Sequence, residues 1–167
     1  FDGEVLPNDE YITINGRDIT NQKISQQELE KLSLIVQESI NSIVITNPNG
    51  KIEWVNKAFE KVTGYNLSEV KGKTPGSFLQ GQETNMETVA YMKQQIKKHE
   101  PFTCEVFNYK KSGEGYWLRI NAQPIFDKKG KIINFFAIEE DITLEKEKDS
   151  KLYDLDQKIT NKKKKIG

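Results

Sequence analysis

The 167-residue chain has one cysteine, Cys104, and one histidine, His99. A lone cysteine excludes an intrachain disulfide and a cysteine-rich zinc site, and it fits a reducing, cytoplasmic compartment. A lone histidine leaves general-base chemistry few candidates. Neither a carboxylate pair nor Ser-His-Asp, Cys-His, zinc or phosphate-loop spacing occurs. The chain itself is therefore not expected to be an enzyme, and no metal is expected. Net charge is missing too: 25 Lys and Arg balance 25 Asp and Glu. Nucleic acid or anionic lipid would find no global field to follow. The lysines at Lys162–Lys165 read as a solvated tail. No apolar run approaches the ~20 residues that a membrane span requires.

What is present is concentrated in the middle. Apolar residues make up 35% of the chain and gather between polar ends, which suggests one core of roughly 100 residues with solvated arms. Two segments read alike, Tyr11–Thr20 and Asn134–Thr143. Each is a β-prone stretch closing on Asp-Ile-Thr and followed by a polar, helix-prone run. The chain is thus expected to be a slice of a longer protein. Residues 1–20 would end an upstream domain, 21–38 would form a connector helix, 39–143 one complete domain, and 144–167 a trailing helix and tail.

Within 39–143, Ser42–Thr46 and Lys51–Asn56 read as strands around the Asn47-Pro-Asn-Gly50 turn. Short helices are expected at Ala58–Val62 and Asn66–Gly72, each closed by a glycine. Asn85–His99 reads as the longest helix of the domain, with Met86, Val89, Ala90 and Ile96 on its core side and Pro101 as its stop. Three long strands follow, Phe102–Lys110, Tyr116–Phe126 and Lys131–Thr143, joined by glycine-bearing hairpins. The order implies an α+β fold, a five-stranded antiparallel sheet with short helices and one longer helix on one face.

Strand alternation sorts the long strands into two faces. Phe102, Cys104, Val106, Asn108, Leu118, Ile120, Ala122, Phe135, Ala137 and Glu139 share the helix side. Asn108 and Glu139 are the polar exceptions, and a carboxylate there is costly to bury without a partner. We therefore read them as presenting polar groups to a ligand's amide or ring edge, with Glu139 able to sense ligand protonation; the alternative is a solvated Glu139 near the strand end. Asn56 reads first as a helix N-cap and second as a ligand contact. Gln80 reads equally as a ligand contact and as a loop-fixing hydrogen bond, and Phe78 as pocket wall or core. The opposite face carries Phe107, Tyr109, Trp117, Phe136 and Ile138, which need a cover. The connector helix, with Leu29, Leu32, Ile35 and Val36, is one candidate and a second copy of the domain is the other. Leu152, Leu155 and Ile159 have coiled-coil spacing, consistent with a homodimer.

The order of elements and the residues at Ile43–Phe59, Thr63-Gly-Tyr65, Gly72–Gly81, Asn108–Gly113, Tyr116-Trp117 and Asp141-Ile-Thr143 resemble the PAS family. The likeness covers roughly Ile40 to Thr143. It implies a PAS fold with a pocket between sheet and helices, a sensory role in signal transduction, and relay through Asp141, Thr143 and the trailing helix. It also implies an upstream PAS-like neighbour, and an absent output domain such as a histidine kinase of a two-component phosphorelay. Phe78-Leu-Gln-Gly81 and Asn108-Tyr-Lys-Lys are similar to the flavin-binding LOV branch. By that resemblance Gly76 stands where a LOV photosensor carries its reactive cysteine, in a stretch one residue longer. Leu118 stands for the branch's second asparagine and Glu139 for its glutamine. Thiol-adduct photochemistry at that position is excluded, and Cys104 is no positional substitute. FAD or FMN stays open as the cofactor, whereas heme does not suit His99 at a helix end. The competing reading is a ligand-free dimerising spacer.

Overall fold

A computed structural model describes residues 8–164, with side chains described for 23–161. The chain divides into two compact units at Glu38/Ser39. The first contains one helix, α1 (Asn8–Gln37), on which Leu29, Leu32 and Ile35 are exposed. This corrects the expectation of a strand at Tyr11–Thr20, because the helix begins well before Asn21. The β-branched residues there favour a strand, but a strand needs a partner edge for its backbone groups, whereas a helix satisfies them internally.

The second unit is built on β1 (Ser42–Thr46), β2 (Ile52–Val55), β3 (Phe102–Tyr109), β4 (Gly115–Phe126) and β5 (Ile132–Asp141). They form one antiparallel sheet in the order β2-β1-β5-β4-β3. Between β2 and β3 lie α2 (Lys57–Thr63), α3 (Leu67–Val70), α4 (Gly76–Leu79) and α5 (Met86–Lys98); α6 (Thr143–Lys164) follows β5. The short α4 was not expected as an element. It opens at Pro75, whose fixed φ suits a helical start.

Local chemistry fixes these boundaries. The Asn47 carboxamide oxygen accepts from the backbone N–H groups of Asn49 and Lys51 and closes the first hairpin. The Asp127 carboxylate does the same for Lys129 and Lys131 in the last one. Asn66 and Glu69 make a reciprocal capping box on α3, and Asn85 accepts from Glu87 and Thr88 at the start of α5. The core has two clusters. Val44, Ile52, Val55, Phe59, Val70 and Leu79 hold α2–α4 against β1 and β2, while Val106, Tyr116 and Leu118 pack with Val62, Met92 and Ile120. On α5 the core side is Val89 with Met92 and Ile96, while Met86 and Ala90 are exposed. The expected stripe is thus corrected by part of a turn, because the helix presents only a narrow strip to the sheet.

Asn56 ties three pieces of backbone together. Its side-chain oxygen accepts from Phe59 N (3.1 Å) and Ile43 N (2.9 Å), and its amide nitrogen donates to Asn41 O (3.0 Å). It is 1% exposed, so water cannot replace these bonds. An Asn56→Ala substitution strands two buried N–H groups and is expected to cost about 2–4 kcal/mol. Urea denaturation checks this: a loss under about 1 kcal/mol would show that the linkage is dispensable.

Candidate ligand cavity

The helices do not close onto the whole sheet. Between them lies a cavity of about 650 Å³, within the range of small-molecule sites. The sheet contributes Val44, Thr46, Phe102, Val106, Asn108, Ile120, Ala122, Phe135, Ala137 and Glu139. Leu79, Val89, Met92 and Ile96 form the helical wall, and Gln80, Ser77, Asn49, Lys93, Lys97 and His99 stand around the lip. The walls are mainly apolar, so the polar groups among them decide what the cavity can recognise.

Glu139 is the most demanding of these. It is 5% exposed, and no donor or cation among the described residues pairs with its carboxyl. Burial alone raises its pKa to about 8, so the group holds its proton at neutral pH and can donate a hydrogen bond. Asn108, equally buried, has an oxygen without a hydrogen-bond partner, as does the Thr46 hydroxyl. The Tyr116 hydroxyl lies near Asn108 and Glu139, but no bond of good geometry joins it to either. Burial, reinforced by the Glu139 charge, pushes Tyr116 well above the ordinary phenol range. Native structures rarely leave several neighbouring buried polar groups unpaired unless a bound molecule or water completes them.

Several expected residues reach the cavity and others do not. Gln80, Asn108, Ile120 and Glu139 line it. Asn56 does not, because its polar atoms are spent on the backbone of 41, 43 and 59. Phe78 turns away to pack edge-on against Tyr65 at 4.9 Å. Leu118 is sealed into the second core cluster, and Cys104 is half-buried outside the wall. Alternation assigns these two a face, but for Leu118 it is Val62 of α2 and Met92 of α5 that roof it by packing rather than by the cavity. Desolvation, then the neighbouring Glu139 and Glu105 charges, pushes the Cys104 thiol up to about 11, which keeps it a weak nucleophile. Thr46, Met92, Lys93 and Lys97 were not anticipated. The i,i+4 spacing of the two lysines was legible, but not that this side of α5 borders an opening.

Residues 40–144 match the family model of the PAS domain. The chain belongs to the PAS domain family. It is 34% identical over 122 residues to blue-light-activated histidine kinases of Brucella ovis and Brucella abortus, a match covering 71% of this chain. The chain spans about a quarter of the length of those relatives, 25%. The LOV domain of the Erythrobacter litoralis EL346 blue-light activated histidine kinase superposes with a TM-score of 0.60 at 29% identity. That match covers 64% of this PAS chain and 99% of the solved one. A light-oxygen-voltage domain studied with a flavin analogue gives 0.63 at 25% identity, covering 76% and 96%.

The packing at Gly76 bears on the resemblance to the LOV branch. A Cβ added at Gly76 would meet the Gln80 amide nitrogen at 2.6 Å. The place where the resemblance puts a photoactive thiol is thus crowded by a carboxamide. Among the described residues no helix is long and apolar enough to cross a membrane, and no cluster of three or more His, Cys, Asp or Glu could hold a metal.

The buried carboxyl has a measurable consequence. Folded, Glu139 titrates near 8; unfolded, it returns to about 4.5. Between those values the folded chain binds more protons, so its contribution is complete below the unfolded value and is lost as pH rises through 8. Stability of the wild type should fall with rising pH by up to about 1.4 kcal/mol per unit relative to Glu139→Gln. Denaturation at pH 6, 7 and 8 tests it, and parallel profiles for the two proteins would show that the carboxyl is solvated.

Proposed function

We propose that this PAS domain is a sensory and relay module that holds a small molecule, flavin-like in size and chemistry, in the cavity between sheet and helices. The observation that carries this reading is Glu139, a buried carboxyl with no pairing group among the described residues, on a mainly apolar wall. Such a group is costly in an apolar cavity and useful against a ligand's ring edge. Asn108 supplies a second polar contact, and Gln80 stands at the lip. Lys93 and Lys97 suit an anionic group such as the phosphate of FMN or FAD.

The route outward is short. Glu139 lies two residues before Asp141, whose carboxylate accepts from both the backbone N–H (3.0 Å) and the hydroxyl (2.6 Å) of Thr143. Thr143 in turn accepts from Trp117 N, so the start of α6 is bonded back to β4. A change at Glu139 thereby acts on the strand that carries α6. In the longer protein we place this module in a cytoplasmic sensor histidine kinase, working as a homodimer. Phe107, Tyr109, Trp117, Phe136 and Ile138 form its apolar outer sheet face.

Near-ultraviolet and visible absorbance of the freshly purified protein, with melting curves in FMN, FAD and riboflavin, tests the cavity reading. Flavin bands or a rise in Tm that grows with FMN or FAD concentration is expected, as for any ligand that binds only the folded state. Riboflavin, lacking the phosphate, should act more weakly, and the Lys93→Ala/Lys97→Ala pair should erase that difference. A colourless protein whose Tm moves with none of the three overturns the flavin assignment. If native mass spectrometry also finds no bound mass, the module is a ligand-free spacer.

A further inference from the structure

The loop that follows α4 is fastened to the outside of the sheet as well as to the cavity lip. Gln80 lines the cavity. Its neighbour Gly81 donates its N–H to the Thr84 hydroxyl (2.9 Å), which donates to the Phe107 carbonyl (2.7 Å). Glu83 N donates to the Tyr109 hydroxyl (3.1 Å). The Tyr109 ring lies directly on Gly81, where any Cβ would run into it, and the Phe107 ring lies in the same way on Gly115. These two glycines leave room for the rings to pack directly against backbone.

From Tyr109 the rings continue without a gap. Tyr109 and Phe107 meet edge to face at 5.5 Å, and Phe107 meets Trp117 at 5.5 Å. The Lys146 ammonium, in the first turn of α6, sits 5.2 Å from the centroid of the Trp117 ring. Lys146 also pairs with Glu105, and Arg119 bridges Glu105 and Glu145 at 2.8 Å each. Aromatic pairs prefer a definite mutual tilt, and a cation gains from a ring only within about 6 Å of its face. Moving the first ring of the row therefore changes the seat of the last group.

We propose that the cavity-lip loop 80–84 is coupled to the first turn of α6 across the outer face of the sheet, through Tyr109, Phe107, Trp117 and Lys146. Displacement of the loop shifts Tyr109, which the loop holds by its hydroxyl and its ring. Phe107 and Trp117 follow, and Lys146 is left with Glu105 as its anchor. The coupling rests on these contacts alone; only its use as a signal rests on the sensory reading above. It differs from the route along β5 in its origin, since none of its side chains lines the cavity; the two meet at Trp117, whose backbone N–H bonds Thr143 and whose ring receives Lys146.

Amide hydrogen exchange on the whole chain, without added ligand, tests it. Residues 143–148 report on α6, and the β4 amides 118–125 serve as an internal control. Thr84→Val removes both hydroxyl bonds of the loop and is expected to speed exchange in the first turn of α6 by at least about threefold, the lower range of couplings within one network. The same substitution should have no further effect in a Lys146→Met or a Phe107→Leu background. An unchanged α6, or an equal factor in either background, overturns the proposal. If Thr84→Val also loosens β4, Tyr109→Phe decides, because it deletes only the hydroxyl that accepts from Glu83. It should reproduce the α6 effect with β4 unchanged, and failure to do so overturns the coupling.

Discussion

A carboxyl removed from water with nothing to pair it either surrenders its charge or acquires a partner. Glu139 is in that position, and the rest of the domain is arranged around keeping it there. It sits on β5, which pairs on one side with β1 at Ser42 and on the other with β4 at Ile120. Both edges of the strand are therefore hydrogen-bonded, and its register cannot slip by one residue without moving Glu139 to the outer face and Glu140 to the inner. The same alternation puts Glu140 outside, against Arg119 at 3.3 Å. Adjacent residues thus meet opposite conditions, one buried without an ionic partner, the other exposed and ion-paired.

A cavity of this size forgoes packing contacts, so the helices that bound it must be held by something other than a filled core. Side-chain to backbone hydrogen bonds at their ends do much of this. Asn56, Asn66 and Asn85 each satisfy N–H groups that a helix start leaves open, and Thr63 donates to Phe59 O inside α2. Lys111 on the β3–β4 hairpin reaches Glu69 on α3 and lies 5.5 Å from the Tyr65 ring. Lys111 is exposed and Glu69 half-exposed, so this ion pair adds orientation more than stability. The helices are fixed at their ends and rest on the sheet along narrow strips, which leaves the middle open.

How much of this was legible follows from how local each signal is. The hairpins were readable because Asn47 and Asp127 close them with bonds spanning two to four residues. The sheet faces were readable because the period of two is strict, and Glu139 and Asn108 stood out as polar in apolar rows. What failed needed distant information. Tyr11–Thr20 has strand-like composition but is helical, since propensity is a weak prior against the supply of a partner edge. Leu118 lies on the correct face, yet whether packed side chains or open space lies above it depends on Val62 and Met92, from elements far away in the chain. Tyr116, adjacent to the hairpin, gave no sign that its hydroxyl would be buried without a bond.

The two faces of the sheet differ in the kind of force that works on them. Inside, low polarity makes any change in charge or hydrogen bonding at Glu139 large in energy and short in range. Outside, the ring row is held by contact and shape, and the Arg119 and Lys146 pairs are half-exposed and weakened by salt. A change originating in the cavity therefore begins as a strong local event and arrives at α6 among weak, separable interactions. That gradient suits a domain whose output element must be able to move. Beyond its first turn α6 projects Leu152, Leu155 and Ile159 into solvent. Little of the domain's own packing energy opposes a shift of the helix, so small changes at its root can be carried along its length.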